Sequence, residues 1–107
     1  VVVLERATMI YMPFVVLGEL RAGFAVGSRG RDNEAVLRRF LALPGVAVLY
    51  ADEATTRNYG ALYCQLRAQG TPIPTNDLWI AALARQHELV LYTRDEHFDH
   101  LPQIGRL

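Results

Sequence analysis

Ile73-Pro-Thr-Asn-Asp-Leu-Trp-Ile-Ala-Ala-Leu-Ala84, followed closely by Leu89-Val-Leu-Tyr-Thr-Arg-Asp95, decides how this sequence reads. Asp77 opens an apolar helix in the first stretch, and Asp95 falls just past a short apolar strand in the second. Carboxylates at a helix start and a strand end can face one cleft, and a cluster of carboxylates facing a cleft is how proteins hold hard divalent cations. Glu19, inside an earlier helix whose neighbours are Val15, Val16, Ala22 and Gly23, is the natural third member. An unpaired carboxylate on so apolar a face would be costly, so it calls for a metal, an arginine or a cleft.

Working outward, Met9 to Met12 reads as a strand ended by Pro13, and Phe14 to Ala25 as a helix with Phe14, Leu17, Leu20 and Phe24 at helical spacing. Gly27 to Arg31 is a basic loop. Asp32 to Leu43 is a helix stopped by Pro44-Gly45, and Val46 to Leu49 a buried strand. Asp52 to Gln69 is a long helix whose positive end suits Asp52 or Glu53. Thr75 or Asn76 is expected to cap the next helix, which runs to about His87, and Leu89 to Tyr92 is a strand. The tail from Asp95 has room for one helical turn, with Ile104 to Leu107 as a candidate last strand. Val1 to Ala7 fits a strand or the tail of a helix. Short, wholly apolar strands separated by helices predict an α/β fold with a parallel sheet covered on both faces. In such sheets ligands sit at the carboxyl ends of the strands, where Asp95 falls.

A length of 107 residues means one domain, and 51% hydrophobic residues mean a globular one. Formal charge is zero, so net charge identifies no partner. All 11 basic residues are arginine. The missing lysine excludes a P-loop and Schiff-base chemistry. It also argues against a phospho-acceptor signalling domain, another class that clusters acids on an α/β sheet. Cys64 is alone, so no intrachain disulfide is possible, which fits a reducing, cytoplasmic compartment. A small buried hydrophobe is its expected role. No apolar run reaches membrane-spanning length and no signal peptide is visible. The chain opens on Val1 without an initiator methionine, and an upstream piece is expected. His97 and His100 form His-x-x-His, but no cysteine or second histidine pair completes a tetrahedral zinc site.

Three strings together resemble a known family. Tyr11-Met-Pro-Phe-Val-Val-Leu-Gly-Glu-Leu-Arg-Ala-Gly-Phe24, Ile73-Pro-Thr-Asn-Asp-Leu-Trp-Ile-Ala-Ala82 and Thr93-Arg-Asp-Glu-His-Phe98 have the order and spacing of a PIN-domain ribonuclease of the VapC toxin type. The resemblance implies a three-layer α/β/α fold with a short central parallel sheet. It further implies a metal-dependent endoribonuclease toxin that cuts structured RNA such as tRNA or rRNA, with Mg2+ or Mn2+, a VapB-like antitoxin and a homodimer. Carried over by position, Glu19, Asp77 and Asp95 are the catalytic acids and metal ligands, with Asp99 a further ligand. Thr75, Asn76 and Thr93 line the site. An acidic site needs bases at its rim to hold RNA, and Arg21, Arg29, Arg31 and Arg94 are candidates for phosphate contacts.

The sequence departs from the family pattern in one respect. Family members begin with a strand ending in a metal-binding aspartate, and no aspartate precedes Asp32 here. Val1 to Ala7 then falls at the end of the helix that follows that strand, and the sheet lacks its first strand. Neighbouring edges left unpaired are expected to drive strand exchange, aggregation or burial against a partner. The alternative reading is therefore a truncated, catalytically incompetent module that binds an antitoxin or RNA without cleaving.

Overall fold

The computed structural model describes residues 3–6 and 8–106. The order is β1 (Val3–Arg6), β2 (Met9–Pro13), α1 (Phe14–Val26), α2 (Gly30–Leu41), β3 (Val46–Leu49), α3 (Glu53–Gln69), α4 (Thr75–His87), β4 (Val90–Tyr92) and a 3-10 turn over Glu96–His100. The fold is α/β, a four-stranded sheet in the order β3-β2-β1-β4 flanked by helices. No described helix is long and apolar enough to cross a membrane.

The central slot of the sheet is filled, which corrects the expectation of unpaired edges. Val3–Arg6 is a strand and not a helix end; the rest of the expected Val1 to Ala7 segment lies outside the described residues. It runs antiparallel to both neighbours, with Leu4 opposite Tyr11 on one side and Leu91 on the other. β2 and β3 are parallel, Tyr11 facing Ala47. Three strands thus share a direction and one central strand is reversed. Leu4 is wholly buried, because a four-residue strand paired on both sides has its inward side chain covered. Beyond β4, the candidate strand Ile104 to Leu107 reduces to one parallel bridge, Leu91 to Arg106, with the Leu91 amide donating to the Gly105 carbonyl at 2.8 Å. Leu107 lies outside the described residues.

α4 is the helix at the heart of the core. Leu78, Ile80, Ala81, Ala82, Leu83 and Ala84 are all buried, and the small alanines let neighbouring elements approach closely. Trp79 fixes its first turn, stacking at a tilt on Tyr59 of α3 (4.4 Å between ring centres) and meeting the edge of Phe14 of α1 at 6.3 Å. At the other end, Gln86 bonds Asp52 and Thr55. Those two residues form a capping box at the start of α3, with the Thr55 amide donating to Asp52 Oδ1 at 3.1 Å and the Asp52 amide to Thr55 Oγ1 at 2.9 Å. Gly70 ends α3 in the left-handed conformation at φ 71°, where only glycine avoids strain. Cys64 is exposed, against expectation, because the buried stripe of α3 is Thr55, Leu62 and Leu66.

Candidate metal centre

Asp77 and Asp95 reach one place from two elements. Asp77 lies in the first turn of α4, with its side chain only 16% accessible. Asp95 leaves β4 and caps the 3-10 turn, accepting the His97 amide on Oδ1 at 2.9 Å, while its own amide donates to Thr93 Oγ1 at 3.0 Å. That tight turn carries the His97 ring back between the two acids. Its Nδ1 lies 2.6 Å from Asp77 Oδ2 and 3.0 Å from Asp95 Oδ1. One ligand atom from each of the three residues falls within 4.8 Å of the others. The hydrogen bond to Asp77, and then the nearby Asp95 charge, raise the His97 pKa above its ordinary 6.5. The imidazole thus lies between the two carboxylates, where a cation would also be held. Two aspartates and an imidazole are a sound donor set for a divalent ion.

His97 was missed by reading the sequence. Its partner Asp95 is two residues away, and that spacing brings side chains together only in the turn that this segment adopts. The one available signal, Asp95-Glu-His97 directly after a strand, is common in polar loops.

Glu19 stands beside this cluster rather than in it. It is exposed on α1, not on a buried apolar face, and accepts from Asn76 Nδ2 at 3.1 Å. Neither Thr75 nor Asn76 caps α4: Pro74 takes the cap position, and no side chain bonds the helix start. Asn76 instead ties α4 to Glu19, next door to Asp77. Thr75 is exposed, and Thr93 braces the turn into Asp95. Asp99 points elsewhere and pairs with Arg106.

The arginines divide. Arg21 is committed to Glu34 in a two-pronged bond at 3.0 and 2.9 Å, and Arg38 joins the same carboxylate at 3.1 Å. This ties α1 to α2, and the Arg21 bond is the chief reason that Glu34 sits below the ordinary carboxylate pKa. Arg29 lies 3.7 Å from Asp32, while Arg31 and Arg94 are exposed.

Residues 2–104 match the PIN domain. Ribonuclease VapC4 of Mycobacterium tuberculosis is 32% identical over 90 residues, covering 84% of this chain and 69% of that protein. Ribonuclease VapC1 of Haemophilus influenzae is 36% identical over 86 residues, covering 80% of this chain and 63% of that protein. The chain therefore spans about two thirds of the length of these curated relatives. Among solved structures, VapBC-1 from nontypeable Haemophilus influenzae superposes with a TM-score of 0.82 at 28% identity, over 91% of this chain and 72% of that one. With the family match running over residues 2–104 and the fold in agreement, this chain belongs to the PIN-domain family.

Proposed function

We propose that this chain is the nuclease of a type II toxin–antitoxin pair, a Mg2+- or Mn2+-dependent endoribonuclease that hydrolyses a phosphodiester in structured RNA such as tRNA or rRNA. The observation that carries the reading is the meeting of Asp77 and Asp95, 18 positions apart by their numbers, within one 4.8 Å cluster at a helix start and a strand end.

Asp77 and Asp95 hold the cation through carboxylate oxygens, and Glu19, steadied by Asn76, adds an acid at the rim. When bound, a divalent cation supplies Lewis acidity at the phosphate and neutralises charge on the leaving oxygen. Arg94, exposed one residue before Asp95, offers a fork to a neighbouring phosphate, and Arg29, at the cap of α2, and Arg31, in its first turn, offer others. Arg21, held by Glu34, serves the fold instead.

The family supports the proposed antitoxin partner. Relatives of this fold are solved as VapBC assemblies, and a VapB-like antitoxin is the partner proposed here, with a homodimer as the assembly. An open apolar groove of about 560 Å³, lined by Ile10, Met12, Leu20, Phe24, Leu37 and Phe40 among others, suits the apolar face of a partner helix.

A second reading has its own observation. The reversed strand β1 brings no aspartate to the centre of the sheet, so the chain could bind its antitoxin or RNA and leave it uncut. Incubation of the chain with tRNA in Mg2+ or Mn2+ buffer separates the two. Cleavage that stops with a chelator and with Asp77→Asn is the expected result. Binding of RNA without cleavage favours the second reading, and metal affinity unaltered in Asp77→Asn refutes the proposed centre.

A further inference from the structure

We propose that His97 is itself a ligand of this centre through Nδ1, and that it tilts the site toward a first-row transition cation, represented by Mn2+, over Mg2+. The inference rests on the metal centre proposed above and adds to it the identity of one donor atom and its consequence for selectivity.

The geometry points to coordination rather than to a bystander. At bond lengths of roughly 2.0–2.1 Å, adjacent ligand atoms around an octahedral ion lie about 3 Å apart. His97 Nδ1 stands 2.6 Å from Asp77 Oδ2 and 3.0 Å from Asp95 Oδ1, close to that edge length on both sides. Nδ1 thus shares an edge of suitable length with each carboxylate, and one ligand atom from each of the three residues lies within 4.8 Å of the others.

The ring is also placed independently of the ion pair. The His97 amide donates to Asp95 Oδ1 at 2.9 Å, so the backbone carries the imidazole to the site. Because the His97 side chain is 47% exposed, the outer side of the cluster stays open to solvent and to a phosphate oxygen. Coordination would use the Nδ1 lone pair, so the ring would bind as the neutral imidazole. Oxygen-only sites suit Mg2+, which dehydrates reluctantly, whereas an imidazole nitrogen favours the transition series. Replacing one oxygen position by Nδ1 therefore changes which ion binds best, with both aspartates kept.

The test uses Mn2+ alone as probe. Electron spin echo spectra of the Mn2+-loaded chain should show modulation from an imidazole nitrogen. His87, His97 and His100 are the three histidines present, so loss of the signal in His97→Gln assigns it. In calorimetric titrations, His97→Gln should weaken Mn2+ binding by about tenfold or more, while leaving Mg2+ affinity unchanged. Absence of nitrogen modulation from the wild type, or its survival in His97→Gln, overturns the inference. If Mn2+ binding is lost in Asp77→Asn but shows no nitrogen coupling, the centre stands and His97 is no ligand. If Asp77→Asn binds Mn2+ as well as the wild type, the centre falls and the inference with it.

Discussion

Replacing Leu4 by alanine tests the arrangement on which the sheet depends. Leu4 is wholly buried in the reversed central strand, with Tyr11 and Leu91 directly opposite on its two flanks. Its backbone is held on both sides, so the surroundings have little freedom to collapse into the space left. Leucine-to-alanine changes in cores cost about 2–5 kcal/mol, rising with the void that remains, and the upper part of that range, about 3–5 kcal/mol, is expected here. Small domains are stable by about 5–15 kcal/mol, so the loss is a large fraction, equivalent to roughly 15–25 °C in Tm. Ile10→Ala is the control. Ile10 lies in the neighbouring strand but is 37% exposed, and about 1 kcal/mol or less is expected. Urea melts of the two variants and the wild type give the comparison, and hydrogen exchange should place the β1 amides among the slowest. Equal costs for Leu4→Ala and Ile10→Ala, with fast exchange in residues 3–6, refute a central position for this strand.

Protonation of His97 should follow its partner. Because the folded pKa is raised, the stability that it contributes is complete below 6.5 and disappears as pH rises through the folded value. An NMR titration should place the His97 midpoint above 6.5 in the wild type and closer to it in Asp77→Asn; identical midpoints would contradict the hydrogen bond. Glu34 has the opposite sign. Its depressed pKa gives stability above the ordinary carboxylate range that is lost as pH falls through the folded value, so Glu34→Gln should flatten the acid limb of the stability profile. Thr55 is fully buried and bonds both Asp52 and Gln86. Thr55→Val keeps the shape but strands those partners, and about 1–3 kcal/mol should be lost in denaturant melts; no change would mean that the capping box is idle.

Much of the fold is legible because its boundaries are written in punctuation. Pro13, Pro44-Gly45 and Gly70 bound strands and helices within two residues of where they fall. The direction of β1 is not legible. Four residues, Val3–Arg6, carry no signal of which way they run, because direction is settled by pairing with β2 and β4, one of them more than 80 positions away. The convergence of Asp77 and Asp95 follows from a helix start and a strand end in an α/β sheet. The surroundings of Glu19 differ from the sequence expectation for a local reason. Val15 and Val16 turn toward the core, but Ala22 and Gly23 are exposed, so the face around Glu19 opens to solvent toward the end of α1. Cys64 lies two positions from both Leu62 and Leu66, which in a helix places it on the opposite side. Asp99 is claimed by Arg106, a residue that returns to β4 only through the tail.

The reversed strand also bears on how many ions the proposed centre would hold. The carboxyl ends of β2 and β4 lead to the rim that carries Glu19 and Asp95, and the start of α4 brings Asp77 to it. A parallel central strand would deliver its own end there. β1 delivers its beginning instead, Val3 lying opposite Tyr92. Its acid, Glu5, sits further along at the level of Val90, where its main effect is to raise the pKa of the Tyr92 phenol. The rim therefore has two clustered aspartates, one adjacent glutamate and an imidazole. Two aspartates balance one divalent ion, but paired ions about 3.5–4 Å apart need bridging and flanking acids on both sides. Among the described residues Glu19 is tied to this rim through Asn76, whose Nδ2 it accepts from. Calorimetric titration with Mn2+ should accordingly reach a stoichiometry of one per chain. A second ion bound with comparable affinity would mean that Glu19 leaves Asn76 to join the centre, a rearrangement that Asn76→Ala should then make easier.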